Sequence, residues 1–275
     1  MSIIRWYNIL LTVTAQYLAA IITLNRKQSI WITLQDTNLH LIVLSTVFII
    51  AGGFIINSFY DLEKDLINRP KQTVFDRLIS KTFCLNFYIL LNVIGLLIAF
   101  LASFNIFIFY ATFAVGLWFY SHKLQKIAVI GEISASLLTV ASFFSIGLYY
   151  QHFRPIYFVY GSWVMCLIFG RELIKGIESI KGDALFGYDT IPLQLGLDRT
   201  RKLLYAVGIL SLIPLALVFS WTSISTFKFL ISFAGGLTLH SLFLVKNLEE
   251  PKQFKSINTR FKILIVSGVL WIIFL

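Results

Sequence analysis

The chain has 275 residues, of which 58% are hydrophobic and only 13% charged, with a formal net charge of +10 at pH 7. Because soluble domains carry about 25% charged residues, this composition excludes a soluble enzyme and predicts an integral membrane protein. Long apolar runs and scarce proline favour helices over the alternating strands of a membrane barrel. We therefore expect an all-α fold, organised as a single transmembrane domain over residues 1–275.

Nine transmembrane helices are predicted in chain order, since a helix needs about 20 apolar residues to cross the hydrocarbon layer. They are expected at residues 8–24, 38–57, 82–102, 104–120, 127–150, 156–176, 203–221, 226–245 and 260–275. The alternating loops then differ sharply in basic residues. One side of the membrane holds only Arg26, Lys27, Arg154 and Lys228 of the 23 Lys and Arg.

The positive-inside rule places the richer loops and the N-terminus in the cytoplasm, with the protein in the cell inner or plasma membrane. This bias accounts for the positive net charge. No basic face interleaved with aromatic residues occurs outside the loops, so the sequence predicts a lipid bilayer and no nucleic acid as partner.

A polar ladder closes the second predicted span, in the segment NSFYDLEKD. Residues four apart on a helix lie about 40° apart around the axis and about 6 Å apart along it, so Asn57, Asp61 and Asp65 share one face. Carboxylates at membrane depth are costly and usually functional. One amide and two carboxylates suit Mg²⁺ bound together with a diphosphate. From spacing alone, a solvated helix end with an Asp61–Lys64 pair is the equal alternative.

Two further polar segments follow later spans. The first, GRELIKGIESIKGDALFGYDTIPLQLG, contains the acids Glu172, Glu178 and Asp183 and the bases Arg171, Lys175 and Lys181. Pairing of Glu178 with Arg171 or Lys181 along a helix is the alternative interpretation. The second, WFYSHKLQK, contains Tyr120, Lys123 and Lys126, for which an ordinary positive loop is the alternative. Because most of the 13 acidic residues fall near the ladder and in the first segment, we expect one shared cytoplasmic site.

Together these stretches resemble the UbiA family of intramembrane prenyltransferases, over essentially the whole chain. Asn57, Asp61 and Asp65 match the first family motif NxxxDxxxD, and the sequence NRP follows it. RELIKGIESIKGD is similar to the second motif, YSHKL to a YSxxLK element, and IRWYN to IRWPN near the N-terminus. The second motif departs from the family. Gly176 and Ser179 stand where acids are usual, which leaves Asp183.

The resemblance implies a UbiA-like helical bundle with a central cavity open to the cytoplasmic side. It also implies Mg²⁺-dependent transfer of a prenyl group from a polyprenyl diphosphate to a lipophilic acceptor. The catalytic residues would be Asp61, Asp65, Asp183 and Tyr120. Asn57, Asp61 and Asp65 would hold the first Mg²⁺, and Asp183 the second, with Glu178 or Glu172 replacing a lost acid. Phosphate oxygens would contact Arg69, Lys123 and Arg171, with Lys126 and Lys175 as weaker candidates, and Arg5 would hold an anionic group. Tyr60 and Tyr120 would face the allylic cation.

The acceptor is less determined. The second motif most resembles the branch that prenylates a prenylated glycerol phosphate, and quinone-precursor prenylation is the alternative. Haem-modifying members match less well. The lost acids leave open a non-catalytic protein that binds prenyl diphosphates. A transporter is less favoured, because the sequence has no inverted repeat or pair of broken helices.

Overall fold

The structure, a computed structural model, describes residues 4–24, 30–68, 80–245, 248 and 253–275. The predicted phosphate ligand Arg69 lies outside the described residues. Nearly every described residue is helical, and the described ranges contain no strand, only an isolated bridge between Ile127 and Asp189. The predicted all-α fold is confirmed.

The helices follow the apolar runs of the sequence. They are α1 (Trp6–Leu24), α2 (Ile30–Leu34), α3 (Thr37–Asn68), α4 (Lys81–Ala102), α5 (Phe104–His122), α6 (Ile130–Tyr149), α7 (Pro155–Leu185), α8 (Ile191–Leu210), α9 (Leu212–Trp221), α10 (Ser225–Val245) and α11 (Phe254–Trp271). Short 3₁₀ helices span Leu124–Lys126 and Ile272–Phe274. Local chemistry sets several of their starts. The Ser80 hydroxyl accepts the N–H of Phe83 at 3.1 Å before α4, and Pro155 opens α7, where no intrahelical N–H bond is required.

Within the described residues, 8 helical stretches are long and apolar enough to cross a membrane, with α8 and α9 together forming one of them. A shorter apolar stretch, Trp6–Ile22, adds a ninth, in agreement with the prediction of about nine. Two predicted ends were too early. The second predicted span continues to Asn68 and the sixth to Leu185. Backbone hydrogen bonding thus carries both helices beyond their apolar part, and these extensions hold the acidic segments.

The chain packs as two compact units, and each is described by itself. Unit 1 comprises Met1–Leu124 and Ala141–Phe153, and unit 2 comprises Gln125–Val140 and Arg154–Leu275. One boundary therefore falls inside α6. That the whole chain acts as a single domain stays a prediction.

Unit 1 is organised around α3, which packs against α1, α4 and α5. A buried polar cluster joins its helices. The Gln16 amide donates to the Thr46 hydroxyl at 2.8 Å and to the Ser145 hydroxyl at 3.0 Å. The Tyr110 hydroxyl bonds to the hydroxyls of both Thr46 and Ser145. Hydrogen bonds between helices compensate polar groups that hydrocarbon cannot satisfy, so this cluster fixes α1, α3, α5 and α6 together.

Unit 2 is organised around α7, which packs against α8, α9 and α11. Trp163 is fully buried in its core, and the Tyr160 hydroxyl donates to the carbonyl of Gly268 on α11 at 2.7 Å. Gly170 lets α11 approach closely, because a Cβ at this position would lie 2.8 Å from Cε1 of Phe261. The polar residues that follow Gly170 on α7 therefore lie directly beside α11.

Candidate functional site

The ladder of Asn57, Asp61 and Asp65 lies on the last turns of α3, in unit 1. The Asn57 amide donates to Oδ2 of Asp61 at 2.9 Å, as expected for residues four apart. Nζ of Lys64 lies 3.2 Å from Oδ1 of Asp61. The Asp61–Lys64 pair of the alternative interpretation is thus present. However, Asp61 is only 6% exposed, so this is not a solvated helix end.

A carboxylate buried at the end of an apolar helix is costly without positive charge nearby. In unit 1, Lys64 supplies such a charge to Asp61. Asp65 follows one turn later and is half-buried. Because α3 is continuous through these residues, the ladder is held on a rigid element, and the spacing predicted from the sequence is realised on the helix.

Aromatic rings lie beside the end of α3 that carries the ladder. The Tyr60 ring centroid lies 5.2 Å from that of His122 on α5, and Trp118 stacks on the same imidazole at 5.4 Å. Tyr120 is half-buried on α5. The structure therefore places the predicted residue Tyr60 in an aromatic group that includes His122, which sequence reasoning had not singled out.

The predicted cations differ in their surroundings. Lys123 is exposed at the end of α5. The Arg5 guanidinium lies 5.9 Å from the ring centroid of Phe54, one turn before Asn57 on α3. Arg5 thus lies beside the helix that carries the ladder, and its role with an anionic group stays a prediction.

The second motif lies on α7, in unit 2. Gly176, Ser179 and Asp183 share one face, since spacings of three, four and seven residues bring side chains into register on a helix. The Ser179 hydroxyl donates to Oδ2 of Asp183 at 2.6 Å, and Asp183 is only 2% exposed. Ser179 therefore supplies a hydrogen bond to the remaining acid at a position where a carboxylate would have repelled it.

Gly176 is closed by a neighbouring helix. A Cβ at this position would lie 3.0 Å from Cγ and 3.2 Å from Cδ of Pro192 on α8. A larger side chain would press against the Pro192 ring and push α7 and α8 apart. Glycine at residue 176, where an acid was expected, therefore allows α7 and α8 to pack closely at this point.

Glu178 and Arg171 both contact Asn258, which α11 contributes. The Asn258 amide donates to Oε1 of Glu178 at 3.2 Å, and Nε of Arg171 donates to Oδ1 of Asn258 at 3.2 Å. Arg171 and Glu178 are therefore joined through Asn258 instead of pairing directly. Sequence analysis missed Asn258 because it started the last span at residue 260, whereas α11 starts at Phe254. The role of Glu178 at a metal stays a prediction.

The two weaker predicted cations have other partners. Nζ of Lys175 contacts both carboxylate oxygens of Glu172, at 2.8 and 2.5 Å. Nζ of Lys126 lies 5.5 Å from the ring centroid of Tyr188, and the Lys126 carbonyl accepts the N–H of Asp189 at 2.8 Å. Lys126 thus helps to join the loop after α5 to the loop after α7, within unit 2.

A buried acid that sequence analysis did not select is Glu132, in the first turn of α6. It is 8% exposed, and one of its carboxylate oxygens, Oε2, has no hydrogen-bond partner among the described residues. Glu132 could have been selected from the sequence, because an acid inside a predicted span is by default a functional candidate.

The donor set of the ladder fits Mg²⁺. Its ligands would be carboxylate and amide oxygens, which are hard donors, and Mg²⁺ is usually held by one or two carboxylates together with water and substrate phosphates. The described residues contain no group of three or more His, Cys, Asp or Glu that could enclose a metal ion alone. The ladder therefore suits an ion whose remaining ligands come from water and from the phosphate oxygens of a substrate.

The chain is similar to known proteins in sequence and in fold. A relative in Sulfurisphaera tokodaii, a digeranylgeranylglyceryl phosphate synthase, is 30% identical over 172 residues, which cover 59% of this chain and 58% of the relative. The match thus spans less than two thirds of that relative's length.

Two solved structures share the fold. One, from work on digeranylgeranylglyceryl phosphate synthase in membranes, has a TM-score of 0.73 and 21% identity, covering 99% of this chain and 97% of the other. The other, a UbiA homolog from Archaeoglobus fulgidus bound to GPP and Mg²⁺, has a TM-score of 0.70 and 18% identity, covering 98% of each chain. The UbiA prenyltransferase family matches residues 12–266. This integral, multi-pass membrane protein therefore belongs to the UbiA prenyltransferase family.

Proposed function

We propose that the protein transfers a prenyl group from a polyprenyl diphosphate to a prenylated glycerol phosphate, with Mg²⁺ as cofactor. The observation that carries this proposal is the ladder of Asn57, Asp61 and Asp65, with Asp61 buried at the end of a membrane-spanning helix. Family membership supports the reaction class. The names of the relative and the solved structures support the donor, the metal and the acceptor.

In the reaction, the bond between C1 of the prenyl group and the diphosphate oxygen breaks, and its electron pair leaves with the diphosphate. The acceptor hydroxyl oxygen bonds to C1 and releases its proton. Bound Mg²⁺ would supply positive charge that makes the diphosphate a good leaving group. The side-chain oxygens of Asn57, Asp61 and Asp65 would hold the Mg²⁺.

The chain's own residues would carry the remaining steps. Arg171, Lys123 and Arg69 would bind phosphate oxygens, since charge-assisted hydrogen bonds are the strong ones. Asp183, oriented by the Ser179 hydroxyl, would bind a second ion. Tyr60 and Tyr120 would present aromatic faces to the allylic carbon as it becomes positive.

We further propose that the N-terminus and the basic loops face the cytoplasm. The bias in Lys and Arg between alternate loops supports this orientation. Cysteine labelling in sealed vesicles, with single cysteines introduced into opposite loops, tests it. Labelling of a cysteine beside Lys123 from the periplasmic or external side alone would contradict the orientation.

Two observations favour a second candidate function. Pro192 occupies the space next to residue 176, and Ser179 replaces a second acid. A protein that binds prenyl diphosphates without transferring them would need only the first motif. The two candidates differ in pyrophosphate release.

The experiment measures pyrophosphate release by purified protein in nanodiscs, with Mg²⁺ and geranylgeranyl diphosphate. Geranylgeranylglyceryl phosphate and 1,4-dihydroxy-2-naphthoate are offered as acceptors in parallel. We expect turnover with the glycerol phosphate and loss of turnover in Asp61→Ala. Preference for the naphthoate would assign a quinone pathway instead. Binding of the diphosphate without any release would establish the binding protein.

A further inference from the structure

Arg171, Asn258 and Glu178 form a hydrogen-bonded trio in unit 2. Arg171 and Glu178 are seven residues apart on α7, so they lie on one stripe, about 10.5 Å apart along the axis. Asn258 reaches between them from α11. Its amide oxygen accepts Nε–H of Arg171, and its amide nitrogen donates to Glu178, each at 3.2 Å.

The position of Asn258 is set by packing. It is only 7% exposed, and it shares the buried face of α11 with Phe261, one turn later. Phe261 fills the space left by Gly170, the residue before Arg171. A buried amide needs partners for both its oxygen and its nitrogen, and the trio supplies one to each. The asparagine thus has one well-defined orientation.

Arg171 keeps most of its binding capacity in this arrangement. A guanidinium carries five N–H donors, and Asn258 takes only the one on Nε. In the part of the chain that the structure describes, Arg171 has no other hydrogen-bond or ion-pair partner. Because the amide is neutral, it orients the guanidinium without cancelling its charge. The two Nη groups then form an end-on fork of the kind that binds phosphate oxygens.

We propose that Asn258 is a positioning residue that aims Arg171 at a phosphate of the prenyl diphosphate. Its amide nitrogen has a second role, holding the Glu178 carboxylate away from a direct ion pair with Arg171. The inference rests on the proposed function, since it assigns the anion that the fork receives. Sequence motifs do not indicate it, because Asn258 lies outside both aspartate motifs.

The test measures Mg²⁺-dependent binding of geranylgeranyl diphosphate by calorimetry in nanodiscs, with thermal unfolding of each variant. Asn258→Leu should weaken binding about tenfold, since one hydrogen bond to a charged group is typically worth that factor or more. It should raise KM for the donor far more than it lowers kcat. The matched control is Thr259→Ala, the exposed neighbour on α11 whose hydroxyl bonds only within its helix, to the Lys255 carbonyl. It should bind as the wild type does.

A double-mutant cycle separates positioning from a general structural effect. If Asn258 acts through Arg171, Asn258→Leu should cause no further loss of affinity in an Arg171→Ala background. The variant Asn258→Asp keeps an acceptor for Nε–H of Arg171 but forms the direct ion pair that the neutral amide avoids. It should therefore bind the diphosphate about tenfold more weakly than wild type, as Asn258→Leu does.

Three results would overturn the inference: wild-type affinity in Asn258→Leu, additive losses in the cycle, or wild-type affinity in a folded Asn258→Asp variant. Failure of the proposed function gives a different pattern. Binding without pyrophosphate release would refute prenyl transfer and leave the assignment of Asn258 standing, whereas a wild type without Mg²⁺-dependent binding that Asp61→Ala removes would refute both.

Discussion

Replacing Gly176 by alanine is expected to destabilise unit 2, because Pro192 occupies the space that the new methyl group needs. The added Cβ would lie 3.0 Å from Cγ and 3.2 Å from Cδ of Pro192. Carbon atoms attract each other best at about 3.5–4.0 Å, so both contacts are repulsive. The Pro192 ring can move aside only by changing its pucker, so the added methyl group presses α7 and α8 apart.

The size of the effect follows from two opposing terms. Alanine in a helix interior is about 1 kcal/mol more favourable than glycine. Overpacking a close contact costs about 1–3 kcal/mol. Gly176→Ala should therefore range from neutral to about 2 kcal/mol destabilising. Gly236→Ala on α10 is the matched control, since no atom lies within 4 Å of its added Cβ, and it should keep the whole gain.

The assay is reversible unfolding of both variants in mixed micelles, with the free energy of unfolding compared directly. We expect Gly176→Ala to be less stable than Gly236→Ala by about 1–3 kcal/mol. Equal stabilisation by both substitutions would refute the packing argument. It would also remove the explanation offered for the missing acid, because an aspartate at residue 176 would then meet no steric barrier.

Three further outcomes are expected. Ser179→Ala removes the 2.6 Å hydrogen bond to the buried Asp183 carboxylate and should cost about 1.5–3 kcal/mol of unfolding free energy, whereas an unchanged value would show that the bond contributes nothing. Gln16→Ala removes the hydrogen bonds from the Gln16 amide to Thr46 and Ser145. Because interhelical hydrogen bonds in membranes average about 0.6 kcal/mol each, it should lower the unfolding free energy by about 1 kcal/mol. A loss of stability in Thr46→Val without any loss in Gln16→Ala would contradict this. Burial and its hydrogen bond to Asp36 raise the pKa of Tyr150. The bond should therefore persist until the pH rises through that raised pKa, and the lower thermal stability expected for Tyr150→Phe should not change between about pH 6 and 9. A stability difference between wild type and Tyr150→Phe that changes over this pH range would contradict the raised pKa of Tyr150.

The sequence alone predicted the fold class and most of the helices. Composition and run length were sufficient, because a membrane helix must satisfy its backbone internally and be apolar over a known length. The ladder of Asn57, Asp61 and Asp65 was also predictable, since a four-residue spacing has one meaning on a continuous helix. The sequence prediction ended α3 and α7 too early. Hydropathy indicates where the apolar part of a helix ends, whereas backbone hydrogen bonding determines where the helix itself ends.

Contacts between distant segments required the tertiary structure. Nothing in the sequence around Asn258 indicates that it joins Arg171 to Glu178, since 80 residues separate Asn258 from Glu178. The closure of residue 176 by Pro192 likewise depends on how α7 and α8 pack. In helices that are apolar on every side, periodicity does not mark the face that meets a neighbour. The sequence therefore determined which segments cross the membrane and which acids share a face, while packing between helices decided which polar side chains meet.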